Sequence, residues 1–126
     1  LFHGIRVKPG MPTMLSVVED IPVLSLSGNP FAVAALFELL AGGYLADRAE
    51  EVYTQKKETK VLRQTFVKTG KPKRIVKGKC DEEGVFLPQI QRNGQLKNGI
   101  GSNCLVVFPE GERTYPEGEK VQVIRI

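Results

Sequence analysis

Residues 24–40, LSLSGNPFAVAALFELL, join an alternating apolar segment to an apolar helix through a short turn of small residues. Asn29 suits the N-cap of this helix, and Pro30 suits its first position, where the missing N–H would have no helical partner. Glu38 is the only charged residue within the predicted helix. A helix that is apolar on nearly every side must be buried on nearly every side.

The residues around this helix are too few to bury it. Alternating segments at residues 4–8, 13–18 and 23–27 predict three short strands before it, and Gly42-Gly43 is expected to end it. One helix and three strands do not complete a layered α/β domain. We therefore expect the missing partners to lie upstream of Leu1, which is not an initiator Met.

A polar connector at residues 44–57, predicted to be helical around residues 46–52, leads into a second region with β character. The segments predicted to be strands are residues 61–68, 74–80, 85–90, 104–108 and 120–126, separated by Gly- and Pro-containing turns that include Asn93-Gly94. This spacing indicates a small barrel or sandwich. We predict two domains, residues 1–57 and residues 58–126.

Composition indicates an ordinary globular chain. Of 126 residues, 41% are hydrophobic and 25% are charged, with a formal net charge of +4. Cys80 and Cys104 lie outside any CxxC spacing, and His3 is the only histidine, so neither a zinc site nor a disulfide framework is indicated. Without a secretory signal or a continuous apolar run of membrane-spanning length, the sequence favours a reducing cytoplasm and predicts no membrane contact.

The positive charge is concentrated between Lys56 and Lys79, where ten Lys or Arg face one acid, Glu58. Such a cluster suits a nucleic acid or a phosphorylated cofactor, and equally a solvated surface. Nucleic acid is the disfavoured partner, because Phe66 is the only aromatic residue among these cations and base stacking needs more.

Two turns are candidates for ligand contact. Ser27-Gly28-Asn29-Pro30 precedes a helix whose first N–H groups point outward, so it could hold an anion, or it could serve geometry alone. Lys8-Pro9-Gly10 lies at the end of a predicted strand and is followed by Met11-Pro12. The two prolines around Gly10 would make the turn rigid and hold Lys8 in place as a phosphate or oxyanion contact. Alternatively, Lys8 is an exposed residue beside a turn that serves structure alone. Both turns follow strand ends, where open α/β sheets form their ligand crevices.

The order Lys8-Pro9-Gly10-x-Pro12, a short strand, Gly28-Asn29-Pro30 and a helix containing Phe37-Glu38-Leu39 closely resembles the MoeA-type molybdopterin molybdenumtransferases, which include the eukaryotic scaffold gephyrin. The downstream residues resemble the family's β-rich C-terminal domain more loosely, through residues 91–96, 102–105, Pro109 and residues 118–121. The resemblance covers nearly the whole chain. It implies an α+β fragment, in which a strand–helix remnant of a MogA-like α/β domain precedes a β-barrel or sandwich.

The resemblance also implies a reaction. The full-length enzyme would insert molybdate into adenylylated molybdopterin and release AMP, with Mg²⁺ as the cofactor and a homodimer as the assembly. The expected substrate-binding residues are Lys8, Pro9, Gly10, Ser27, Gly28, Asn29 and Pro30. Family members usually have Pro at the position of Ser27, and many have a basic residue at the position of Met11. The family's catalytic carboxylates lie upstream, so no catalytic residue or metal ligand is assigned, and we expect the fragment alone to be inactive.

Two other functions stay open from the sequence. The basic stretch would suit a nucleic-acid-binding β module, with an affinity that falls steeply with salt. Gephyrin shows that the same scaffold can bind peptides, so a non-catalytic peptide-binding domain is the second alternative.

Overall fold

The structure is a computed structural model that describes residues 1–50, 52, 54–88 and 101–126. The N-terminal part contains four strands and one continuous helix, which has an α-helical segment, a π-helical turn and a second α-helical segment. These elements are β1 (Phe2–His3), β2 (Val7–Lys8), β3 (Met14–Val18), β4 (Ile21–Ser25), α1 (Pro30–Leu36), the π-turn (Phe37–Ala41) and α2 (Gly42–Arg48). The strands described after them are β5 (Lys57–Val61), β6 (Phe66–Lys68), β7 (Lys73–Cys80), β8 (Val85–Phe86), β9 (Cys104–Phe108), β10 (Arg113–Tyr115) and β11 (Lys120–Arg125).

The described strands form three sheets. The largest has six strands in the order β2-β7-β9-β11-β5, with β8 paired to β7. A three-stranded sheet, β1-β3-β4, and a two-stranded sheet, β10-β6, complete the set. The described residues are thus rich in sheet with one helix, in agreement with the α+β prediction. The pairing of β2 with β7 is parallel and joins the N-terminal residues to the sheet of the C-terminal ones.

Both faces of the large sheet are apolar. In β9, the side chains of Cys104, Val106 and Phe108 enter one core cluster, while Leu105 and Val107 enter another. This division follows from the strand geometry, which points successive side chains to opposite faces. The first cluster is completed from β6, β7, β8, β10, β11 and the segments between them, and it is the larger of the two.

Helix α1 covers the second face. Ala35 and Leu36 pack with Ile75, Leu105 and Ile124 of the large sheet. The expectation that this chain covers the helix only in part agrees with this packing, although strands that follow the helix in sequence contribute to the covered face. The opposite side of the helix stays exposed, including Val33, Phe37 and Leu40. The predicted boundary between residues 57 and 58 stays a prediction, although residues on both sides of it share a sheet and a core.

The helix does not end at Gly42-Gly43 as predicted but continues to Arg48. Glycine lowers helix stability by about 1 kcal/mol relative to alanine, a cost that does not by itself end a helix. With this extension the helix is long and apolar enough, by length and composition alone, to cross a membrane. A core helix of a globular domain passes the same test, and here 28% of the tested stretch is buried within the chain, with α1 packed on the sheet.

Several predicted strands have different bounds in the structure. The predicted strand at 61–68 is divided between β5 and β6, because buried Leu62 instead forms a bridge to Val85. Strand β10 was missed. The predicted strand at 85–90 is confirmed only as β8, and residues 89–90, the turn at Asn93-Gly94 and the family-like residues 91–96 lie outside the described residues.

Candidate functional site

The Lys8-Pro9-Gly10 turn is held rigidly against helix α1. Gly10 is buried with a φ of +115°, and a Cβ placed there would lie 2.2 Å from Cδ1 of Leu36. Thr13, which is fully buried, donates from Oγ1 to the carbonyl oxygen of Gly10 at 2.7 Å. Only glycine adopts this backbone conformation without strain while allowing the close approach. The turn therefore fixes the backbone of Lys8, whose side chain is exposed, and Thr13 is a supporting residue that the sequence analysis missed.

The Ser27–Pro30 turn caps the helix as predicted. Oδ1 of Asn29 accepts hydrogen bonds from the N–H of Phe31 at 3.0 Å and from that of Ala32 at 3.3 Å. The N–H of Val33 donates to the carbonyl oxygen of Asn29 at 2.9 Å. These first helical N–H groups are therefore occupied within the chain. The assignment of this turn to an anion stays a prediction, and in this structure the Asn29 side chain satisfies two of these N–H groups.

Gly28 has no structural reason to be glycine within the described part of the chain. A Cβ built on it would meet nothing within 4 Å, and its φ lies outside the left-handed region. The neighbouring Ser27 has a buried Oγ for which the described residues offer no hydrogen-bond partner. A buried polar atom without a partner costs about 1–3 kcal/mol. The turn thus combines open space with a polar atom that a ligand or water can satisfy.

A cation lies beside this turn, and it is Lys77 rather than Lys8. The Nζ atom of Lys77 is 4.8 Å from the ring centroid of Phe31, the second residue of α1. Lys77 is on β7, two residues from Ile75, which packs against the helix, so strand alternation points both toward α1. Lys77 belongs to the basic stretch, and no role was predicted for it. The alternation of Ile75 and Lys77 was the signal available for it.

The structure does not bring the two predicted turns into one pocket. They contact opposite ends of α1: Asn29 caps its start, while Gly10 packs on Leu36, about 10 Å further along the helix axis. Val7 packs on the helix side of the sheet, so alternation points Lys8 toward the other face, where its register partner is Arg74. Within this chain the turns form two separate surfaces.

Several cations of the basic stretch are buried or paired within the chain. Lys68 is buried and donates to the carbonyl oxygens of Gly70 and Gly111. Arg63 forms ion pairs with acidic residues at 3.0 and 3.4 Å, and Lys60 pairs with Glu58 at 3.6 Å. Phe66 stacks on Phe108 with ring centroids 4.5 Å apart. Because the stretch's one aromatic ring packs against the core, this surface lacks the stacking platform that a single-stranded nucleic-acid module needs.

Neither cysteine is placed for catalysis. Both are buried, and burial raises the pKa of the Cys104 thiol to about 12, with the Cys80 thiol adding to the effect. A thiol with this pKa is inert at neutral pH. The prediction that Cys104 is a core residue agrees with its burial. Among the described residues, no group of three or more His, Cys, Asp or Glu could hold a metal ion.

This chain is similar to proteins of molybdopterin biosynthesis. Residues 61–126 match the family model of the MoeA C-terminal region, domain IV. A molybdopterin biosynthesis protein of Methanocaldococcus jannaschii is 31% identical over 123 residues, covering 98% of this chain and 29% of that protein. The molybdopterin molybdenumtransferase of Bacillus subtilis is 27% identical, covering all of this chain and 30% of that enzyme.

The fold is also similar to that of solved structures of MoeA proteins. The crystal structure of a molybdopterin biosynthesis MoeA protein from Pyrococcus horikoshii superposes with a TM-score of 0.82 at 25% identity, over 100% of this chain and 32% of that one. The chain thus spans about 30% of the length of the curated relatives it matches. The resemblance read from the turns is confirmed. Because the family model matches 66 of 126 residues, we conclude that the chain belongs to the MoeA family and contains its C-terminal domain IV.

Proposed function

We propose that the whole protein containing this chain is a molybdopterin molybdenumtransferase that acts in molybdenum cofactor biosynthesis. It inserts molybdate into adenylylated molybdopterin and releases AMP. Family membership and the names of the matched relatives support this proposal. The observation in the structure that carries it is the turn at Gly28, where the described residues leave open space around the glycine and offer no hydrogen-bond partner to the buried Oγ of Ser27.

In this proposal the chain supplies electrostatic positioning and no acid–base chemistry. The N–H groups of Phe31 and Ala32 donate to the Asn29 side chain, so the contacts that this turn offers to an anionic group are the Ser27 hydroxyl and the open backbone at Gly28, with the positive charge of Lys77 beside Phe31. Pro30 and Asn29 fix the geometry of the turn. Cations held in place before the reaction stabilise developing negative charge without reorganising.

The Lys8-Pro9-Gly10 turn forms a second contact surface in the same proposal. Lys8 is the exposed cation on a turn whose backbone is fixed by Thr13 and Leu36. Because Lys8 faces away from α1, it would contact a different part of the substrate from the part that lies near Gly28. Residues outside this chain would then connect the two turns.

The resemblance adds further proposals about the whole protein. Mg²⁺ is its expected cofactor, but the described residues contain no cluster that fits a metal ion, so this chain is not assigned the Mg²⁺ ligands. A homodimer in the cytoplasm, the MogA-like origin of residues 1–57 and the barrel form of residues 58–126 are proposed on the same grounds. The exposed apolar side of the helix supports the need for a further partner surface in the assembly.

The test uses the whole protein and measures AMP release from adenylylated molybdopterin in the presence of molybdate. We expect Gly28→Ala and Lys8→Ala to lower the rate or weaken substrate binding by tenfold or more, equivalent to about 1.4 kcal/mol. Lys56→Ala is the matched control, because Lys56 is also exposed but belongs to neither turn.

Thermal unfolding of each variant separates binding from folding. Gly28→Ala meets open space, and Lys8→Ala is a surface change, so both should unfold within about 0.5 kcal/mol of the wild type. Equal AMP release by all three variants would refute the assignment of the turns. A wild-type protein that binds a peptide partner without releasing AMP would instead support the non-catalytic scaffold.

A further inference from the structure

A groove of about 310 Å³ lies near the ends of β7, β9 and β11, and none of the residues assigned to the two turns lines it. Its apolar lining includes Val107, Pro109 and Val121. The volume is at the lower end of the range for small-molecule sites, about 300–1,000 Å³. The groove is therefore large enough for a compact ligand.

The groove carries excess positive charge. Lys73, Arg113 and Lys120 line it together with one acidic residue, Glu119. Arg113 forms an ion pair with Glu119, and its guanidinium lies 4.4 Å from the ring centroid of Tyr115. Arg113 is therefore held in place and its charge is balanced. Lys73 and Lys120 have no ion-pair partner in the part of the chain that the structure describes.

Strand register places the two lysines on either side of the end of β9. Arg74 pairs with Phe108, so Lys73 stands one step further, beside Pro109. Gln122 pairs with Val107 on the other side, so Lys120, two residues earlier, reaches the same level. Because β9 lies between β7 and β11, their backbones are two strand spacings apart, about 10 Å. Their long side chains can both reach an anion held over Pro109.

We propose that this groove binds a multiply charged oxyanion, such as the phosphate group of a small molecule. Lys73 and Lys120 donate charge-assisted hydrogen bonds to its oxygens, which are stronger than bonds between neutral groups. Arg113 forms one wall of the groove, where its contacts with Tyr115 and Glu119 hold it in place. This assignment rests on the fold and the charges of the groove and not on the proposed transferase reaction.

The experiment is calorimetric titration of the full chain with inorganic phosphate, at constant ionic strength set with chloride. We expect saturable binding at one site, with Lys73→Gln and Lys120→Gln each weakening it and the double variant weakening it roughly tenfold or more. Lys79→Gln is the matched control, because Lys79 is an exposed lysine of the same strand as Lys73, six residues away.

A second titration uses phenyl phosphate in place of inorganic phosphate. Tighter binding of phenyl phosphate indicates that the ligand is an organic phosphate that uses the apolar lining, and equal binding indicates the free anion.

The assignment is overturned if the double variant binds phosphate like the wild type, or if Lys79→Gln weakens binding as much. It is also overturned if the titration does not saturate, or if only a single-stranded oligonucleotide binds and all three lysines contribute equally. Thermal unfolding of the variants provides the folding check. Substitutions of exposed lysines should leave it within about 0.5 kcal/mol.

Discussion

Replacement of Gly10 by alanine tests how the Lys8-Pro9-Gly10 turn is held on the helix. Two effects act at this position. A residue with a side chain is strained at a φ of +115°, at a cost of about 1–2 kcal/mol. The new Cβ would also lie 2.2 Å from Cδ1 of buried Leu36, and such overpacking typically costs about 1–3 kcal/mol. We therefore expect Gly10→Ala to lower the free energy of unfolding by about 2–5 kcal/mol.

Two other glycines separate these effects. Gly118 has a φ of +90° but open space around it, so Gly118→Ala should show the backbone cost alone, about 1–2 kcal/mol. Gly28 has neither strain nor a near neighbour, so Gly28→Ala should change stability by no more than about 0.5 kcal/mol. The order of destabilisation is thus Gly10, then Gly118, then Gly28.

Urea unfolding measures the three variants, and equal m-values would show that the unfolded states are comparable. A double-mutant cycle isolates the contact. Leu36→Ala alone should cost about 2–5 kcal/mol, but in the Gly10→Ala background it also removes the overlap, so the two effects should fall short of additive by about 1–3 kcal/mol. Equal losses for Gly10→Ala and Gly118→Ala, or strict additivity in the cycle, would refute the packing of this turn on Leu36.

Four further predictions follow from other parts of the structure. Lys68→Met should cost about 1–3 kcal/mol in urea unfolding, because it leaves two carbonyl oxygens without their buried donor, whereas exposed Lys71→Met should change little. The hydrogen bonds from Arg125 hold the pKa of Glu58 below its usual range, so this pair stabilises the fold above the unfolded pKa of about 4.3, and its contribution is lost as pH falls through the folded pKa. The difference in unfolding midpoint between the wild type and Glu58→Gln should therefore shrink between pH 7 and pH 3, and a constant difference would contradict the pairing. Proteolytic cleavage in residues 49–56 should leave two pieces that elute together in gel filtration, because β2 and α1 pack on the large sheet; separate elution would contradict that packing. The exposed apolar side of the helix should make the chain self-associate in light scattering, and a monodisperse monomer with residues 1–45 protected from hydrogen exchange would show the opposite.

The local elements could be predicted from the sequence because their signals lie within a few residues. Asn29 caps the helix and Pro30 is its first residue, as predicted. The strand at residues 104–108 has the predicted bounds. The hairpin between β3 and β4 turns at Glu19-Asp20, where both residues adopt positive φ, a conformation that suits a two-residue turn. The family resemblance rested on the same short-range order of turns, and the comparisons confirm it.

The predicted end of the helix was wrong because it, too, rested on a local signal. Gly42-Gly43 is a strong local stop signal, but the helix is packed along one face and continues through a π-turn to Arg48. Glu50, with a φ of 57°, follows it in the left-handed conformation in which helices commonly end. No residue of Phe37–Arg48 is buried in the structure, so a propensity cost of about 1 kcal/mol per glycine does not by itself end the helix.

The sequence alone determined the caps, the alternation of the strands and the family, since each depends on neighbours along the chain. Only the tertiary structure decided which residues meet: that α1 is covered by strands from far downstream, that Lys77 lies beside Phe31, and that Lys8 faces the other side of the sheet. It also decided that Lys68, one cation of the basic stretch, is buried and donates hydrogen bonds to the carbonyl oxygens of Gly70 and Gly111. These contacts depend on strand order and register, and a shift of one residue would point every side chain of a strand to the opposite face.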